Sequence, residues 1–236
     1  MKSSTSLMII GGLLALFICN HSIADTRSLS ISLPDPLPQL KVLTLLLSIH
    51  LLGMCLGLGG ATMLDFWIIR WMRKGCLPIE AGRLFEFISH AVTIGLCLLW
   101  FSGLGLLALY AEESPGKLDN PKLWAKVVVV IVLTINGLMI RSFVLPEALR
   151  DMSRPLLHGA SLKRAILFLV SGAVSGVSWY TAFAFGVFRE LNNKVTFNFL
   201  IIMWVTLTVA ASLTIVLLWL NRTAAVSKPS SLSPPT

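Results

Sequence analysis

Apolar residues run along this chain in blocks too long for the core of a soluble domain. Five blocks, at about residues 41–69, 84–110, 122–145, 164–188 and 195–220, dominate the pattern. Each meets the roughly 20 residues a helix needs to cross the hydrocarbon of a bilayer. Polar residues gather between the blocks, in short stretches rich in Arg, Lys, Pro and Gly. Backbone groups have no water to bond inside lipid, so spans of this length read as helices. The pattern predicts an all-α fold: a multi-pass transmembrane helical bundle, 41–220, with five mature spans.

The ends read differently. Residues 1–24 have the form of a secretory signal peptide: Lys2, the apolar run LMIIGGLLALFIC, then small residues at Ser22-Ile23-Ala24. An uncleaved first helix is the alternative. Residues 25–40, punctuated by Pro34, Pro36 and Pro38, read as an extended periplasmic lead-in. Residues 221–236, rich in Ser and Pro, read as a disordered cytoplasmic tail. Asn120-Pro121 supplies an N-cap and a first-turn proline for the third span, and Pro146 ends or kinks it.

Composition agrees with a life in lipid. Only 13% of residues are charged and 56% are hydrophobic, about half the charge of a soluble domain. The net charge of +8 has no aromatic-studded basic face to serve it, which excludes nucleic acid as a partner. The basic residues instead mark topology. Arg70, Arg73, Lys74, Arg83, Arg141, Arg150, Arg154, Lys163, Arg164, Arg222 and Lys228 fall on one side, against five acidic residues there. That side is expected to be cytoplasmic in a bacterial inner membrane, with the mature N-terminus outside and the C-terminus inside. Cys19, Cys55, Cys76 and Cys97 offer no disulfide framework.

Candidate chemistry lies within the spans. His50, Gly53, Met54, Gly57, Ala61 and Asp65 fall along one helical line. Gly53, Gly57 and Ala61 form a small-residue ladder that lets another backbone approach, as Ser171 and Ser175 do in the fourth span. His50 turns inward with that ladder, and an ionisable group at membrane depth is a functional candidate. A second group, Asp65, Glu86, His90 and Arg141, is expected near the cytoplasmic mouth, where an acid, an imidazole and an arginine relay protons or hold an anion.

Two cofactors suit such residues. Haem b takes imidazole ligands, but His50 and His90 lie near opposite ends of antiparallel helices. Their heights differ by ~20 Å at 1.5 Å per residue, so one haem does not bridge them within a chain. A haem with one histidine, or one shared across a dimer, is still open. Copper is the other cofactor: His50 and Met54 are one turn apart with Cys55 adjacent, a soft donor set that suits Cu(I). No HExxH, G-x-S-x-G or P-loop motif is present in the sequence, so no enzyme class is indicated.

At His50, followed by LGLGGATMLD, the first two spans resemble small bacterial membrane proteins related to copper-resistance protein D. In those, a helix-borne histidine precedes a glycine pair. The resemblance implies copper uptake or haem-like redox chemistry, with His50 as the residue carried over. The leading expectation is therefore metal or haem binding through His50, with Met54 and His90 as further ligands. The alternatives are a cofactor-free transporter-like or proton-relay protein, or a structural subunit in a homo-oligomer or with partner membrane subunits.

Overall fold

The computed structural model describes residues 30–31, 40–74, 81–144, 146 and 161–226. The signal segment 1–24, the three prolines of the lead-in and residues 227–236 lie outside the described residues. The chain divides into two units, Met1–Val42 and Leu43–Thr236. In the first, the expected extended lead-in contains a short ladder: β1 (Ser30–Ile31) pairs antiparallel with β2 (Leu40–Lys41), Ser30 facing Lys41 and Ile31 facing Leu40.

The second unit is the bundle. Its helices are α1 (Val42–Lys74), α2 (Ala81–Glu113), α3 (Pro121–Met139), α4 (Leu162–Val187) and α5 (Phe197–Val226). All five are long and apolar enough to cross a bilayer, which makes this an all-α multi-pass membrane protein. Several run past the expected boundaries. α1 continues through Arg70, Arg73 and Lys74, whose aliphatic stems tolerate the interface while their charged ends reach water. The Arg70 guanidinium lies over the Trp67 ring, 5.6 Å from its centre. α5 extends to Val226, so residues 221–226, expected in a disordered tail, are helical.

Local chemistry explains both ends of α3. The Asn120 side chain accepts from the Lys122 amide at 3.1 Å, and Pro121 follows at the position where a missing N–H costs nothing. At the far end the helix widens into a π turn, Ile140–Val144. Pro146 has no N–H for the Ser142 carbonyl and its ring crowds that carbonyl, which favours relaxation of the ladder just before it.

Consecutive helices run antiparallel. α1 and α2 meet backbone to backbone. A methyl group added at Gly95 would lie 2.6 Å from the Gly57 nitrogen and 2.7 Å from the Gly53 oxygen. Only glycine permits that approach, and lipid supplies no hydrophobic drive to compensate for a looser one. The Trp179 indole of α4 fills the space over Gly57. Ala61, Leu99, Leu133 and Trp179 form the central core. A second cluster, including Val129, Phe185 and Trp204, joins α3, α4 and α5. Trp71, Ala81 and Phe85 form a third at the other end of α1 and α2.

Polar contacts between helices follow one recurring scheme. Ser102, Thr93 and Thr134 each donate to a carbonyl one turn back on their own helix, at 2.6, 2.8 and 2.7 Å. With its only proton spent, each hydroxyl oxygen accepts from another helix: from His50, Arg141 and Trp100 respectively. Two further ties reach carbonyls directly. Buried Asn136 donates to the Ser171 carbonyl at 2.9 Å. The Lys122 ammonium donates to the Phe188 carbonyl at 2.8 Å, at the C-terminal end of α4 where the helix dipole welcomes a cation.

Candidate functional site

The two histidines occupy unlike environments, and counting their hydrogen-bond capacity separates them. His90 sits on the exposed side of α2. Its Nδ1–H donates to the Glu86 carbonyl at 2.8 Å, because a carbonyl only accepts. Arg141 Nη2 donates to His90 Nε2 at 3.0 Å, because a guanidinium only donates. Both ring nitrogens are therefore committed. Arg141 also donates through Nη1 to Thr93 at 2.9 Å, so one guanidinium at the start of the π turn clasps two residues of α2.

His50 is half-buried on α1 and faces α2. Its Nδ1 lies 2.9 Å from Ser102 Oγ. Ser102 spends its proton on the Leu98 carbonyl, so the imidazole is the donor and Nδ1 carries the hydrogen. Nε2 then keeps a lone pair that meets no hydrogen-bond donor among the described residues. The ring edge lies beside Gly103, whose added Cβ would sit 3.7 Å from Cε1. Lys126, on α3, brings a positive charge into the surroundings of this ring.

The expected groupings come apart in specific ways. Met54 packs against clusters drawn from α2, α3, α4 and α5, and the His50 ring turns to Ser102 of α2. Cys55 is an exposed free thiol. Ser102, which meets His50, is ~18 Å along α2 from His90 at 1.5 Å per residue, so the two histidines stand far apart, as their spacing predicts. Among the described residues no three His, Cys, Asp or Glu side chains converge as a metal-binding group. The expected four-residue polar cluster reduces to His90 and Arg141. Glu86 contributes its backbone carbonyl only, its side chain being exposed. Asp65 lies elsewhere, because its face of α1 turns to α4.

Asp65 turns to α4. Its carboxylate approaches Gly176 of α4 so closely that an added Cβ there would lie 3.1 Å from Oδ2. Gly176 is ~21 Å from the first residue of α4 and ~16 Å from the last, near the middle of that helix, while Asp65 is ~35 Å from the first residue of α1 and ~14 Å from its last. Among the described residues Asp65 makes no hydrogen bond and no ion pair. One turn away, Thr62 donates to the Leu58 carbonyl at 2.7 Å, and Tyr180 of α4 donates to Thr62 Oγ1 at 3.0 Å. Beyond that pair the seam opens into a groove of about 440 Å³ between Leu58 and Gly59 of α1 and Tyr180 and Phe183 of α4.

Ser171 and Ser175 do not enter this seam as ligands: the Ser171 hydroxyl donates back to Phe168 at 2.9 Å, and Ser175 is half-buried on the same helix. Sequence reasoning overlooked Ser102, Thr62, Tyr180 and Lys126. The hydroxyls carried a usable signal, being one turn from a carbonyl in apolar surroundings and so obliged to act as acceptors. Lys126 carried a stronger one, a cation inside a span.

Comparison of the chain with family models, with curated proteins and with solved structures yields no match in any of the three.

Proposed function

We propose that the protein is a transporter-like or proton-relay protein of a bacterial cytoplasmic membrane, with its mature N-terminus outside, and that Asp65 is the group that takes up and releases a proton. One observation carries the reading: a carboxyl group within a membrane-spanning helix that no side chain among the described residues neutralises. Placing an ionised Asp at the centre of a span costs about 2.5–3.5 kcal/mol on insertion scales. A carboxylate kept to fix helix register would recover that cost through a partner, and Asp65 has none among the described residues. The Thr62–Tyr180 pair one turn away supplies hydroxyl oxygens beside it.

The test is infrared difference spectroscopy on the full chain in nanodiscs across a pH titration. A protonated-carboxyl band that appears with falling pH and vanishes in Asp65→Asn supports the proposal. A spectrum unchanged by that substitution overturns it.

A second reading, haem or copper ligation by His50 as the copper-resistance-protein-D resemblance implies, has its own support. The Ser102 contact fixes the tautomer and leaves Nε2 with a lone pair unengaged among the described residues, the arrangement in which a hydrogen bond at one ring nitrogen orients an imidazole to ligate through the other. The nearby Lys126 charge works against a metal cation there. A Soret band, or copper by elemental analysis, lost in His50→Ala would support this reading. A folded, colourless and metal-free preparation would count against it.

A further inference from the structure

The groove between α1 and α4 and the Asp65 carboxylate belong to one continuous line. Leu58 and Asp65 are two turns apart on α1, as Gly176 and Phe183 are on α4, and a seven-residue step returns a helix to within ~20° of the same direction. The Asp65–Gly176 contact is thus the closed lower end of the seam whose upper end is the groove. Gly59 leaves that upper end open: nothing lies within 4 Å of where its side chain would begin. Tyr180 and Phe183 are both exposed, so the opening faces the bilayer sideways.

Read from one end to the other, the seam offers a carboxylate, then two hydroxyl oxygens, then an apolar trough flanked by aromatic rings. A lipid acyl chain would fill the trough and leave the carboxylate without a partner. An anionic headgroup would be repelled by it. A compact organic cation with an apolar body answers both demands, its body against Leu58, Tyr180 and Phe183 and its charge at the Thr62 end of the trough, one turn from Asp65. Aromatic faces attract such cations.

We propose that the α1–α4 seam is a lateral-entry binding site for lipophilic organic cations, of the quaternary ammonium or phosphonium kind. This deepens the proton-exchange reading and rests on it, since cation and proton would then compete for one carboxylate.

The probe is radiolabelled tetraphenylphosphonium, in equilibrium dialysis with the full chain in nanodiscs, with triphenylphosphine oxide as the neutral analogue. Saturable one-to-one binding is expected, weaker by roughly tenfold or more for the neutral analogue and for Asp65→Asn, as loss of a charge partner implies. Asp65→Glu should stay within a few-fold. Gly59→Leu should block the trough while its carboxyl infrared band persists, and it decides the matter should Asp65→Asn fail to fold. No saturable binding, equal binding by Asp65→Asn, or undiminished binding by Gly59→Leu overturns the proposal. A carboxyl band without tetraphenylphosphonium binding overturns the ligand class alone. Absence of the band overturns the proton reading beneath it.

Discussion

On one flank of α1, toward α2, backbone meets backbone: Gly53 and Gly57 lie against Gly95, and His50 is bonded to Ser102. On the other, toward α4, the Trp179 indole covers Gly57 but the chain leaves room beside Gly59. Gly59 faces empty space, Thr62 and Tyr180 meet through their hydroxyls, and Asp65 lies beside Gly176. Glycine serves opposite ends on the two flanks. At Gly95 it permits an approach that any side chain would prevent, and at Gly59 it keeps a volume unoccupied. Small residues in a membrane helix therefore have no single meaning until their neighbours are known.

The largest effect is expected on the closed flank. Gly95→Leu would drive a side chain into the α1 backbone and should destabilise the bundle by about 3 kcal/mol or more, the upper range for overpacking. Thermal unfolding in detergent would reveal it, and an unchanged midpoint would refute the backbone contact. Next comes Asn136→Leu on α3, which removes the bond to the Ser171 carbonyl. Interhelical hydrogen bonds in membranes contribute about 0.6 kcal/mol on average and up to about 1.7, and the upper figure suits a fully buried donor. Ser102→Ala should cost less, on the order of 0.6 kcal/mol, but it frees the His50 tautomer. Nitrogen-15 chemical shifts of labelled His50 should then move from a pure Nδ1–H form toward a mixture, whereas His90 should not change. The smallest effect belongs to the open flank: Gly59→Leu should leave the unfolding midpoint within about 0.5 kcal/mol of the parent, as substitutions clear of packing do. A large loss there would mean that the groove is not open.

Much of this architecture was legible from the chain because lipid imposes simple rules. Span length, the Asn120-Pro121 start and the glycine ladder each follow from local chemistry that does not depend on distant partners. The candidate site was harder to read. Whether Asp65 joins Arg141 or turns to Gly176 depends on the rotation of α1 about its own axis, and a shift of one residue position turns a helix face by about 100°. Periodicity placed Asp65 on the His50 line but did not fix which neighbour that line faces at each height. The saturation of His90 was hidden for a different reason, since it depends on a backbone carbonyl and a guanidinium that arrives from a π turn.

The glycine contact between α1 and α2 also bears on the order of assembly in the membrane. Gly53 and Gly95 are much nearer each other along the chain than Asp65 and Gly176, which are separated by more than twice that length. Linking distant segments costs more chain entropy and takes longer. The first helical hairpin can thus close as soon as its second arm has been inserted, while the cleft beside Asp65 is completed only when the fourth helix arrives. Ribosome-stalled chains ending before and after α4 would capture the two stages in turn.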